Sequence, residues 1–194
     1  MNQFPPDRYD RVAVSIHWVV GTALLAQIAF GWLLDDFARG TPARAFAINL
    51  HKSTGLVLAL AIVLRLLWRV RHPPPAYPAS MVDRKRQAAR LGHALLYICM
   101  IGMPLSGYLA SNFSKHGVNF FNRLLVPPWG PDDKAIYTLL NGTHDVLAYL
   151  FSALVFGHIV FACYHALIAR DGLSSRMNFG SRRVSRNSAG PRHA

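Results

Sequence analysis

His144 and His158 lie fourteen residues apart, and no charged side chain occurs between Val146 and Ala169. An imidazole inside lipid is costly and marks a functional position by default. Fourteen residues make four turns of a helix supercoiled at about 3.5 residues per turn, so both rings point the same way. At about 1.5 Å per residue they stand about 21 Å apart along that helix. Imidazole nitrogen ligates haem iron, and filling both axial positions suits a centre to electron transfer. Such a centre needs two histidines from facing helices at one depth.

His51 and His17 are the partners at matching depth. His51 lies at the outer mouth of the second apolar stretch, level with His144 at the mouth of the fourth. His17 lies a few residues inside the inner end of the first stretch, level with His158. The pairs expected are therefore His51 with His144 and His17 with His158. His93, at the inner start of the third stretch, is the rival to His17. His165 is seven residues beyond His158 on the same stripe. It lies nearer the inner surface, where it suits a quinone headgroup or proton transfer. His72, His116 and His193 read as surface or loop residues.

Four apolar stretches position these side chains: Val12–Leu34, Leu50–Val70, Leu91–Ala110 and Val146–Ala169. Each is long enough to cross a hydrocarbon core of about 30 Å. In lipid each must satisfy its own backbone, so helices are expected over about 12–34, 49–70, 91–110 and 144–169. The fold expected is all-α, a transmembrane four-helix bundle over residues 1–177. A basic tail over 178–194 is expected to be disordered and close to anionic lipid. With 52% hydrophobic and only 15% charged residues in 194, little chain is left for a soluble domain. The prolines from Pro73 to Pro75 end the second helix, and Pro104 predicts a kink in the third. Ser111–Thr143 is expected to cap the outer end, with room for a short interfacial helix.

The net charge of +12 does not point to nucleic acid, because its distribution fits a membrane. With the first helix entering from the cytoplasm, fourteen basic residues fall on the cytoplasmic side and six on the other, with Arg65 inside a span. That asymmetry places both termini in the cytoplasm. Arg8 and Arg11 precede the first stretch as in a signal peptide. The stretch is nevertheless too long for an h-region, and it holds His17 and Gln27. Cys99 and Cys163 lie in apolar stretches and read as packing residues. No Cys-x-x-Cys-His occurs, which excludes covalent haem attachment by that motif. The chain has no glutamate, which weighs against a bare metal site. Lys52 and Arg65 are the cations read as partners for haem propionates, and Arg65 also suits snorkelling to the interface.

At these residues the chain resembles the bacterial cytochrome b561 family of membrane dihaem cytochromes. The matching pieces are Ser15-Ile16-His17-Trp18, His51-Lys52-Ser53-Thr54-Gly55, Arg65-Leu66-Leu67-Trp68-Arg69, Leu91-Gly92-His93 and Met103-Pro104-Leu105-Ser106-Gly107-Tyr108. His144, Gly157-His158, His165, Asp171-Gly172 and Arg176-Met177 follow in the same order. The resemblance implies a four-helix membrane bundle with two non-covalent b haems. By position His17 and His158 would hold the inner haem, and His51 and His144 the outer one. Members often carry two adjacent histidines near the end of the last span, whereas here Ala166 follows His165. The family also resembles the b-type subunits of membrane hydrogenases and formate dehydrogenases, and some members look like superoxide:ubiquinone oxidoreductases. The reading is a multi-pass protein of the bacterial cell membrane. It would carry electrons from an outer donor, with superoxide one candidate, to ubiquinone near Arg11, Ser15 and His165. The alternative is an anchoring subunit for a peripheral dehydrogenase or hydrogenase. Outer charges number six basic against five acidic, so electrostatic steering of an anionic donor is weak.

Overall fold

The computed structural model describes residues 8–77 and 81–179. The tail from residue 180 onward lies outside the described residues. Four long helices account for most of the rest: α1 Arg11–Leu33, α2 Pro42–Arg71, α3 Asp83–Asn112 and α4 Lys134–Cys163. Each contains a window long and apolar enough to cross a membrane. α1 packs on α2, α2 on α3 and α3 on α4. The end carrying Asp10 and Asp171 is called inner below, and the opposite end outer.

α2, α3 and α4 start before their apolar stretches, and at α2 and α4 a capping side chain marks the start. Thr41 Oγ1 accepts from Arg44 N–H ahead of Pro42, which starts α2 eight residues before Leu50. Asp133 accepts from the main-chain N–H groups of Ala135 and Ile136, so α4 begins at Lys134, well before Val146. Asp10 caps α1 through Ala13 N–H at 2.8 Å. The same carboxylate accepts from Trp68 Nε1 at 3.2 Å, tying the start of α1 to the end of α2. α3 continues through Pro104.

On α4, His144, Leu147, Phe151, Leu154 and His158 recur at alternating three- and four-residue steps, the pattern of a supercoiled seam. Phe151 belongs to the buried cluster of Val20, Ile62, Cys99 and Met100, with Leu147 and Leu154 packed against it. The bundle's core is thus an apolar layer between two levels of histidine. The opposite faces are apolar and outward: Val19 is 69% exposed and Phe156 70%. A surface of that kind is stable only against lipid.

The outer segment forms a hairpin, not the short interfacial helix the sequence leaves room for. β1 Val118–Phe120 and β2 Leu124–Val126 pair antiparallel, with Phe120 opposite Leu124. Its turn carries two residues at positive φ, Phe121 at 48° and Asn122 at 57°. Asparagine tolerates that region, whereas phenylalanine enters it at a cost. Contacts to α2 hold the turn: Phe121 N–H donates to the fully buried Ser53 Oγ at 2.7 Å, and Asn122 pairs with Asn49 at 3.0 Å. The hairpin therefore lies against the outer half of α2, beside His51.

Beyond α4 the chain makes a π-helical turn, Tyr164–Ala169, and reverses at Arg170, whose φ is 48°. The segment that follows folds back across the inner end. Ser174 Oγ donates to Ala162 O at 2.8 Å, Trp18 Nε1 donates to Met177 O at 2.9 Å, and Arg176 donates to Ala76 O at 2.7 Å.

Candidate functional site

Five imidazoles gather inside the bundle at two depths. At the outer level His51 of α2 faces His144 of α4, with ring centroids 6.4 Å apart and planes at 89°. At the inner level His17 of α1 faces His158 of α4, again at 6.4 Å, with planes at 71°. His93 of α3 also stands at the inner level, 5.8 Å from His158. The two depth-matched pairs read from the sequence are therefore brought together, and so is the rival.

Hydrogen bonds orient four of the five rings through Nδ1. His144 Nδ1 lies 2.9 Å from Met103 O, in a direction that makes it the donor. Ser106 Oγ also donates to Met103 O at 3.0 Å. His93 Nδ1 meets Ala89 O at 2.8 Å. His51 Nδ1 meets the Gln27 amide at 3.1 Å. His17 Nδ1 accepts from Arg65 Nη2 at 2.9 Å, since a guanidinium only donates.

Glycine makes room for both outer rings. A Cβ on Gly31 would come within 3.1 Å of His51 Cε1, and one on Gly107 within 3.0 Å of His144 Cε1 and Nδ1. Neither contact is readable from spacing along one helix, because each glycine meets a histidine on a different helix. The cations sit at the two levels as well. Lys52 Nζ donates to Gly117 O at 3.1 Å, beside the outer pair, and Arg65 contacts the inner pair.

The residues read as a quinone site are less closely gathered. His165 Nδ1 is 2.6 Å from Asp171 Oδ2, an ion pair when the ring is protonated. Arg11 and Ser15 are exposed on α1, on the side where Trp18 binds the folded-back segment through Met177. No hydrogen bond among the described contacts joins them to His165. A separate cleft at the inner end is lined by Tyr9, Ile16, Arg65, Trp68, Arg69 and Met177, and by none of those three. Asp171 is the partner that inspection of histidines alone misses. Burial raises its carboxyl, and hydrogen bonds from Leu173 N–H and His165 outweigh this and hold it below the ordinary carboxylate range.

A profile of the prokaryotic cytochrome b561 family matches residues 8–180. The chain belongs to that family. It is 31% identical to "Cytochrome b561 homolog 2" of Escherichia coli (strain K12) over 178 residues, covering 89% of this chain and 92% of that protein. It is 25% identical to "Cytochrome b561 homolog 1" of the same organism, covering 88% and 97%. It is 22% identical to "Probable superoxide oxidase CybB" of Yersinia pestis, covering 88% and 95%. This member of the cytochrome b561 family is thus a multi-pass electron-transfer protein of the bacterial cell membrane, with b-type haem as cofactor.

The histidine geometry fits such a cofactor. Two imidazoles on opposite sides of one metal, with nitrogen–metal bonds of about 2 Å, have ring centroids about 6 Å apart. Both pairs match at 6.4 Å, and the His93–His158 spacing of 5.8 Å matches as well. Among the described residues no group of three or more His, Cys, Asp or Glu side chains is arranged to hold a bare ion. A haem held by such a pair would bring the remaining iron ligands with its own porphyrin.

The close packing of Gly107 on His144 gives a direct test. Gly107→Ala should displace the His144 ring and lower the haem content of the purified protein. Haem stoichiometry of the purified variant checks this, and full loading would show that the ring has room to move.

Proposed function

We propose that the chain holds two b haems, one between His51 and His144 and one between His17 and His158. Electrons would pass from a donor at the outer end to a quinone at the inner end. The observation that carries this reading is the equal ring spacing of 6.4 Å at both levels. When bound, each bis-imidazole haem supplies a one-electron centre. Along α4 the two centres would lie about 21 Å apart, a separation that spans most of a hydrocarbon core.

His17 is preferred to His93 for a packing reason. α3 runs directly along α4, which leaves little width for a macrocycle between them. α1 and α2 pack on each other and not closely on α4, so both preferred pairs reach across the wider side of the bundle. One observation favours His93: its Nδ1 is satisfied by Ala89 O, which leaves Nε2 for a metal. His17 needs its Arg65 contact exchanged for an acceptor before Nε2 can ligate. A guanidinium takes a carboxylate readily, and a propionate at this level would draw Arg65 away. Lys52 has the same part at the outer level, where one of its three N–H groups is engaged by Gly117 O.

The pyridine haemochrome of fully loaded protein should give two haems per chain. His51→Ala and His144→Ala should each remove the same haem, and His17→Ala and His158→Ala the other. One haem in total rejects the reading, and loss of the inner haem in His93→Ala but not in His17→Ala replaces His17 by His93.

The distribution of basic residues supports cytoplasmic termini, which would make the histidine pair nearer Asp171 the cytoplasmic one. Reporter fusions after Arg170 should be active only in the cytoplasm, and activity outside the cell reverses the direction of transfer.

Superoxide is the donor this reading favours, supported by the similarity to the probable superoxide oxidase of Yersinia pestis. It gives up one electron and leaves as dioxygen. At the inner end two electrons and two protons turn a quinone into a quinol. His165, oriented by Asp171, would hand a proton to a quinone oxygen, with Arg11 and Ser15 as further donors to the headgroup. In prereduced protein with both haems present, His165→Ala should slow quinone reduction at least tenfold, and Asp171→Asn should slow it less. An unchanged rate in His165→Ala moves the quinone elsewhere, with the cleft of Arg65, Trp68 and Arg69 next in line.

A further inference from the structure

We propose that Gln27 is a positioning residue of the outer site, acting through His51 on the electron affinity of the haem held there. The proposal rests on the dihaem reading above. Gln27 is the only amide in α1, in the apolar body of that helix. Its Nε2 donates to His51 O at 2.8 Å and lies 3.1 Å from His51 Nδ1. Its Oε1 accepts from Thr54 Oγ1 at 2.7 Å. One side chain therefore grips a single turn of α2 at both ends, with the histidine between. The fit is close: a Cβ on Gly55 would come within 3.3 Å of Gln27 Nε2.

An amide that only joined two helices would be satisfied by the main-chain carbonyl and the threonine. The contact to the ring nitrogen goes further. The Nδ1 partner of a ligating imidazole fixes the ring and sets its basicity, and such hydrogen bonds tune the potential of the metal. A histidine that ligates through Nε2 carries its proton on Nδ1 and needs an acceptor there. Gln27 provides one by turning Oε1 toward the ring, a half-turn about its last side-chain bond that gives up the Nε2 bond to His51 O and leaves that carbonyl to its helix and to Thr54 Oγ1 at 3.2 Å. Thr54 can serve either orientation. Its hydroxyl accepts from Nε2 as well as donating to Oε1, because Leu50 O, 2.9 Å away, is a second acceptor for its proton. His144 has no such freedom, since its partner is the fixed carbonyl of Met103. The outer site thus has one rigid ligand and one whose hydrogen bond is adjustable.

The test is a spectroscopic redox titration of purified, haem-loaded protein, with the outer component identified as the one absent from His51→Ala. Gln27→Met keeps side-chain length and removes both polar ends. It should retain two haems and favour reduction of the outer haem at least threefold, about 28 mV upward at 59 mV per tenfold for one electron. The inner component should stay where it is. Thr54→Val should move the outer component the same way by less, and it decides the matter alone if Gln27→Met does not assemble. An outer component unmoved in both variants overturns the proposal, and so does an equal shift of both components. Retention of both haems in His51→Ala refutes instead the ligand assignment on which the proposal rests.

Discussion

An imidazole within a membrane bundle must have something to bind, and the fold is arranged around that requirement. Ring nitrogens at positions 17, 51, 93 and 144 are met by a guanidinium, an amide and two main-chain carbonyls. Three of the four partners come from a different helix than the ring they serve, so orienting the rings also registers the helices. A shift of α1 along α2 by one turn would break the Gln27–His51 and Arg65–His17 contacts together. Interhelical hydrogen bonds in lipid average only about 0.6 kcal/mol each. Their value here lies less in stability than in fixing which side chains stand at one depth.

Between the two levels the protein is apolar. Val20, Ile62, Cys99, Met100 and Phe151 form the buried layer, and the α4 seam runs through it from one histidine to the other. Such a layer excludes water and ions while leaving the histidine levels at either side. Lipid completes the packing: side chains such as Val19 and Phe156 face outward and are apolar, so the bundle has no second hydrophobic surface to hide.

Much of this was legible in the sequence. The four apolar stretches gave the four helices, because hydropathy follows from the same burial that selects a helix in lipid. The depths of the histidines were legible because helix rise is constant: His51 meets His144 at one level, and both His17 and His93 meet His158 at the other. Helix ends were not, since Thr41 and Asp133 extend α2 and α4 by local capping that hydropathy does not register. The hairpin was hidden for a similar reason. Three-residue strands carry too little pattern, and the turn at Phe121 and Asn122 depends on α2 for its partners. The glycines that meet imidazoles are Gly31 and Gly107, on helices other than those of the rings they touch. A contact between helices has no signature within either one.

The two levels differ in the charge that surrounds them, and this gives the bundle a direction. At the inner level a guanidinium donates straight to a ring, and Arg69 stacks on Tyr97 close by. At the outer level the neighbouring cation is Lys52, held back by a loop carbonyl, and the ring partners are a neutral amide and a carbonyl. A positive charge near a redox centre favours its reduced form, and it does so more strongly the less water intervenes. On the proposed ligation Arg65 leaves the ring but stays at the inner level, so its charge would favour the reduced form there more than the neutral partners do at the outer level. If propionates neutralise Lys52 and Arg65 alike, the remaining difference comes from the hydrogen bonds to the rings themselves. Gln27 and Met103 O would then decide how far downhill an electron falls between the outer level and the inner one.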